Sequence, residues 1–297
     1  MTPRTTVKRV ARLILGTACL VSAQLQATDT ADVAEISVDG TAKYEPPRTA
    51  GGKPDFTGVW QVLNTANYNI EVHGPQAAMA MRDGPVVPVP AKEVVALGAV
   101  GAVPASLGVV EGNEIPYTSE SREKRDENRR NWLSSDPEIK CYLPGVPRAT
   151  YMPFPFQIVH NEDALFFSYE YAGAVRNIFL ADPGPAPIDS WMGQSWARWE
   201  GDTLVIETTG LNDRTWLDRA GNFHSDALKV TERLTLISDH NIHYQATLED
   251  HKVYTRPWKI SMPLYRRVGA DARIMQFNCA EFVEEMMYGH LRREPLD

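Results

Sequence analysis

LKVTERLTLI (228–237), the turn residues SDHN (238–241) and NIHYQATLE (241–249) decide the fold class. Both runs are rich in β-branched and aromatic residues, and period-two alternation with a polar break between them is the mark of an antiparallel strand pair. The same pattern extends in both directions. FPFQIVH (154–160), ALFFSYEYA (164–172), VRNIFLA (175–181), SWARWE (195–200) and TLVIETT (203–209) precede it; WKISMPLY (258–265) and ARIMQFNC (272–279) follow it. Asn161-Glu162-Asp163 and Glu200-Gly201-Asp202 supply further turns. Many short strands without long helices between them exclude a doubly wound α/β fold. The expectation is an all-β, mainly antiparallel barrel of about 8–10 strands, with an irregular N-terminal extension and one or two short helices. A strand opening at Gly58-Val59-Trp60 is expected to join it.

Upstream, Arg4, Lys8, Arg9 and Arg12 precede the short apolar run Leu13–Ala23, and small residues offer cleavage near Ala23 or Ala27. This is the pattern of an export signal over 1–27, too short to span a bilayer as a helix. The implied location is the periplasm or the exterior. Residues 28–53 read as a linker, and 54–140 as the first strand, a covering segment and a charged helix packed on the barrel. The main barrel domain is expected over 141–297. Val94–Val110 is uncharged but broken by glycines and Pro104, so it reads as a cover over the domain or its mouth, not a membrane span. Thr118–Leu133 mixes acids and bases after capping residue types, as a solvent-facing helix does. The formal charge of −8 becomes −12 without the four basic residues of the leader, which argues against nucleic acid as a partner. After cleavage Cys141 and Cys279 remain, an even pair best read as one disulfide in an exported protein.

DPEIKCYLPGVPR (136–148), PFPFQIV (153–159), SWMGQSWARWEGDTLVIETTGLNDRTWLDRAGNFHSDAL (190–228) and YTRPW (254–258) together resemble a large family of exported bacterial β-proteins, mostly uncharacterised. The resemblance implies export and architecture, and no chemistry. Its members often carry histidine where this chain has Gln194 and Asn222. A second resemblance, through Gly58-Val59-Trp60, is to lipocalin-like barrels, and implies an apolar ligand held inside.

Candidate chemistry gathers in Gly210–Asp226, a connection long enough to be functional. It holds Asp213, Arg214, Asp218, Arg219, His224 and Asp226 alongside Trp216, Leu217 and Phe223, which pack. His224 and Asp226 face one way on an extended chain, so the carboxylate can orient the imidazole as a general base; the alternative for Asp226 is a helix N-cap before Ala227. Glu170 shares strand parity with Phe166 and Ser168, which favours an interior carboxyl acting as acid. In 250–258, Tyr254 can donate a proton, Arg256 can clamp a carboxylate and Trp258 can stack, though Trp258 also suits a core. Trp196, Trp216, Tyr171, Arg219, Arg256 and Trp258 are the candidate ligand contacts. Gly193-Gln194-Ser195 imitates a nucleophile elbow but leads into a strand. No metal-ligand spacing or cofactor fingerprint is present, so neither metal nor cofactor is expected.

Two functions fit. One is an exported enzyme acting on a hydrophobic or aromatic substrate by metal-free acid–base chemistry, with His224 as base, Asp226 or Asp218 (with Asp213 nearby) orienting it, and Tyr254 or Glu170 as acid. The other is a non-catalytic carrier of an apolar ligand in the same barrel.

Overall fold

The computed structural model describes residues 44–77, 81–82, 86, 89–90, 102–162 and 164–277. Nine strands close into a barrel: β1 (Gly58–Gln61), β2 (Phe156–His160), β3 (Leu165–Tyr169), β4 (Val175–Phe179), β5 (Gln194–Glu200), β6 (Thr203–Thr209), β7 (Lys229–Ser238), β8 (Asn241–Glu249) and β9 (Trp258–Arg266). β1 joins β9 and β2 antiparallel and so seals the ring. The all-β, lipocalin-like expectation holds, and the Trp60 strand belongs to the barrel. The expected strand over 272–279 does not form: residues 272–277 are irregular, and 278–279 lie outside the described residues.

Alternation builds the core directly. Val230, Leu234 and Leu236 on β7 and Ile242, Tyr244, Ala246 and Leu248 on β8 turn inward, where they meet Trp60, Phe156, Phe167 and Leu264. The interior is therefore filled with side chains. Each fully buried Leu, Ile or Phe contributes about 1.5–3 kcal/mol through removal from water.

One seam differs from the rest. β4 and β5 run parallel and pair only at Ile178↔Ser195 and Phe179↔Trp196. β5 then continues from Ala197 to Glu200 past the end of β4. The connection between them contains Pro183, Pro185 and Pro187, which lack the N–H donors a strand or helix interior needs.

The two ends of the barrel are closed differently. At the lower end lie the tight turns after β2, β5 and β7, held by the 44–57 segment through Arg48–Asp202 and Tyr44–Asp239. At the upper end lie the long 210–228 and 250–257 connections. Helix α1 (Ser119–Arg130), N-capped by the Thr118 hydroxyl, packs on the first of them. Gly221 permits that approach: its φ is +87°, and a Cβ there would sit 2.7 Å from the Arg129 nitrogen. The helix is thus not purely solvent-facing, for Arg125 reaches Glu71 at 2.8 Å and Asn128 donates to the Gly221 carbonyl.

The leader at 1–27, most of the 28–53 linker, Val94–Gly101 of the cover and Cys279 lie outside the described residues. Among the described residues no helix is long and apolar enough to cross a membrane.

Candidate functional site

The upper end collects most of the residues singled out by the sequence, and it buries them as an interlocked plug. Asp218 is fully buried. Its carboxylate accepts from the backbone N–H groups of Ile70, Ala220 and Asn222 and from Asn222 Nδ2, at 2.7–3.1 Å. Burial pushes its carboxyl up to about 6 against the pull of those donors. Tyr117 donates to Asn222 Oδ1, Tyr254 to the Phe223 carbonyl at 2.7 Å, and Tyr151 to the Leu217 carbonyl at 2.8 Å. These buried polar groups find partners inside the protein, as buried polar groups must.

His224 is 2% exposed and its neighbours fix its tautomer. Nδ1 faces the Ser225 carbonyl at 2.9 Å, which can only accept, so Nδ1 carries the proton. Nε2 then accepts from the Thr215 hydroxyl at 2.7 Å. Burial pushes the imidazole pKa down and keeps the ring neutral. The expected His224–Asp226 pair does not form. Asp226 is exposed and bound to Lys252 at 2.5 Å, which lowers its pKa, because the chain turns at 225–228 instead of running extended. Nor is Asp226 a helix cap, since β7 follows it. The carboxylate beside the loop is Asp250, which binds the Ser225 N–H and hydroxyl. Asp213 is exposed.

Glu170 lies past the end of β3 in a helical turn, outside the barrel interior, and accepts from the Met275 N–H at 2.8 Å. Strand parity runs opposite to the expectation: Leu165, Phe167 and Tyr169 face inward, and Phe166 faces solvent. Trp258 is core, and Arg256 is exposed with a hydrogen bond to the neighbouring Pro257 carbonyl. Trp216 and Tyr171 wall a crevice with Glu138, Arg148 and Thr215 that leaves no water-sized space.

Two ionic groups were not foreseen. Arg219 forks onto both oxygens of Glu138 at 2.8–2.9 Å, and Arg148 reaches Glu138 at 2.5 Å, Asp136 at 3.4 Å and Asn67 at 2.8 Å. Asp136, Glu138 and Arg148 all come from DPEIKCYLPGVPR, and Arg219 from the long loop, so these two stretches meet in one buried ion cluster. Asp136 Oδ2 has no partner, and burial pushes its carboxyl up to about 6. Inside the barrel, Arg176 pairs with Glu232 and also bonds Ser195 and Thr208, while Tyr244 donates to Glu232 at 2.8 Å. This pair occupies interior space where a lipocalin-like reading placed a ligand. Strand parity with Val230 and Leu234, and with Ile178, would have located both charges. Ser195 of the elbow-like Gly193-Gln194-Ser195 serves this pair from within β5, so the strand context holds.

The Asp136 carboxyl ties stability to pH. Its folded pKa of about 6 exceeds the ordinary value near 3.8, so the folded state holds the proton more tightly. The resulting stabilisation is complete below about pH 4 and is lost as pH rises through about 6. Asp136→Asn is therefore expected to lose stability relative to wild type as pH falls from 7 to 4.5 in urea titrations. A gap that stays constant across that range excludes the shift.

The open site lies at the lower end. A groove of about 580 Å³, open on one side, sits where β5 outruns β4. Trp196, Trp199 and Arg198 come from β5, Leu180 from the end of β4, His160, Asn161 and Glu162 from the β2–β3 turn, and Thr49, Gly51 and Lys53 from the N-terminal segment. Of the residues expected to bind ligand, only Trp196 lines it. Trp199, Lys53 and His160 were missed because their approach depends on the seam. His160 Nδ1 is buried without a partner, and desolvation lowers the ring's pKa. Among the described residues no three His, Cys, Asp or Glu side chains converge as a metal site. No protein-family model, curated protein or solved structure matches the chain.

Proposed function

We propose that this is an exported, non-catalytic small-molecule carrier that holds a flat apolar or aromatic ligand in the lower groove. The observation that carries the reading is the groove itself: a volume within the range of small-molecule sites, walled by two tryptophans at a gap in the barrel wall. Among the described residues the upper end offers a pocket of only about 110 Å³ beside Arg219 and Ala220, and its buried ionisable groups are bound to internal partners. Export with cleavage near Ala23 or Ala27, and a Cys141–Cys279 disulfide, belong to the same proposal. The bridge would anchor the C-terminal chain beside the Asp136–Glu138–Arg148 cluster, since Cys141 directly follows the Pro137–Lys140 turn.

The full chain expressed with its leader, recovered from the periplasm and measured by native mass spectrometry, tests this. The expected result is a shortened chain, one oxidised cysteine pair, and a bound small molecule that Trp199→Ala loses and Arg256→Ala keeps. Retention of the molecule by Trp199→Ala would refute the groove as the site.

One observation favours the enzyme reading. The 2.7 Å bond from the Thr215 hydroxyl to His224 Nε2 is the type of pair that activates a nucleophile. It becomes the preferred reading if turnover of the recovered molecule is found and disappears in Thr215→Val.

A further inference from the structure

The charges around the groove are unequal in their commitments, and this selects among flat ligands. Arg198 is held by Glu207 at 2.5 Å and by Glu200 at 3.2 Å, and its guanidinium stacks on Trp196 at 5.5 Å. Its charge is neutralised in place. His160 is kept neutral by burial. Arg48, at the same end of the barrel, is bound bidentately to Asp202. Two lining groups remain: Lys53 and Glu162 make no ion pair among the described residues.

Their positions differ. Lys53 Nζ stands 5.7 Å above the centre of the Trp199 ring, so the ammonium sits over the stacking platform itself. Beyond that ring, its charge is felt by Asp202, which Arg48 already satisfies. Glu162 lies against Gly51 at the rim, its Cγ 3.2 Å from where a Gly51 Cβ would be. A ring laid on Trp199 displaces the Lys53 ammonium from the ring face and leaves it at the ligand's edge. A lysine so displaced loses a cation–π contact, and a carboxylate on the ligand restores a partner for it. Lys53 is exposed, so that pairing is modest and sensitive to salt.

Resting on the carrier reading above, we infer that the groove selects aromatic acids: a planar ring stacked on Trp199 with its carboxylate on Lys53. Neutral rings gain only the stacking, and ring-bearing amines, protonated at neutral pH, are repelled by the lysine.

The test uses the full mature protein, with binding followed by tryptophan fluorescence and calorimetry. The probes are 1-naphthoate, naphthalene and 1-naphthylmethylamine, chosen because they share one ring system. The expected order is acid, then neutral ring, then amine, with the acid favoured over naphthalene by about threefold at low salt and less at high salt. Lys53→Met is expected to abolish the preference for the acid and, by removing the cation that a ring must displace from Trp199, to raise naphthalene affinity slightly. Glu162→Gln, which removes the carboxylate that lines the groove, is expected to tighten naphthoate binding slightly. Trp199→Ala is expected to weaken all three probes. Equal affinity for acid and neutral ring, with no effect of Lys53→Met, overturns the selectivity and leaves the groove as a site for rings. Insensitivity of every probe to Trp199→Ala overturns the groove itself.

Discussion

Arg148→Met is expected to lower the unfolding free energy by about 3–5 kcal/mol, the cost of stripping one partner from a buried ion cluster. Methionine matches the length of the arginine stem and fills much of its space, so the loss reports the charge and not a cavity. Glu138 keeps the Arg219 fork, but Asp136 loses its only ion-pair partner among the described residues, and Asn67 Oδ1 loses its donor. Lysine at 148 is expected to recover little, because one ammonium cannot reproduce a fork that spans Asn67, Asp136 and Glu138. Urea titration reads the result as a lower midpoint at unchanged slope. A loss below about 1 kcal/mol would show that the cluster is solvated and dispensable.

The second large effect lies inside the barrel. Arg176→Met alone is expected to cost about 3–5 kcal/mol, because Glu232 is left charged among Phe167, Tyr169 and Tyr244. Arg176→Met combined with Glu232→Leu and Tyr244→Phe removes the pair and the hydroxyl that depends on it. That variant is expected to return most of the stability, since Ser195 and Thr208 still bond each other at 2.9 Å. The sign of the coupling is the test. If the triple variant is as unstable as Arg176→Met, the residues do not act as one buried unit.

Both effects belong to architecture, and this changes how the family-like stretches read. DPEIKCYLPGVPR and the 210–226 loop are dense in charge, and density of charge in a long connection points toward chemistry. In the folded protein that density is internal. The loop is a plug over the upper end: Asp218, Arg219 and His224 are bound to the backbone, to Glu138 and to Thr215, while Asp213, Arg214 and Asp226 face solvent. Sequence identified the right residues as unusual, and named Asp218, Arg219 and His224 among them. It could not say whether they faced a substrate or each other, because partners such as Glu138 and Arg219 are 81 residues apart in the chain.

The groove was less legible still. Trp199 and Lys53 come from segments far apart in sequence, and nothing local marks either as a ligand contact. Their meeting depends on the stagger between β4 and β5, which is a property of a parallel pair inside an otherwise antiparallel barrel.

Local pattern by itself determined the strands, their turns and the all-β class, because period-two alternation and turn chemistry act over a few residues. It also carried enough information to place Glu232 and Arg176 inside, through parity alone. Only the tertiary structure decided that the barrel interior is filled, that the charged loop is sealed, and that the opening lies at the opposite end. Those outcomes depend on closure of the ring and on which distant charges become neighbours once water is excluded, and a one-dimensional pattern does not encode either.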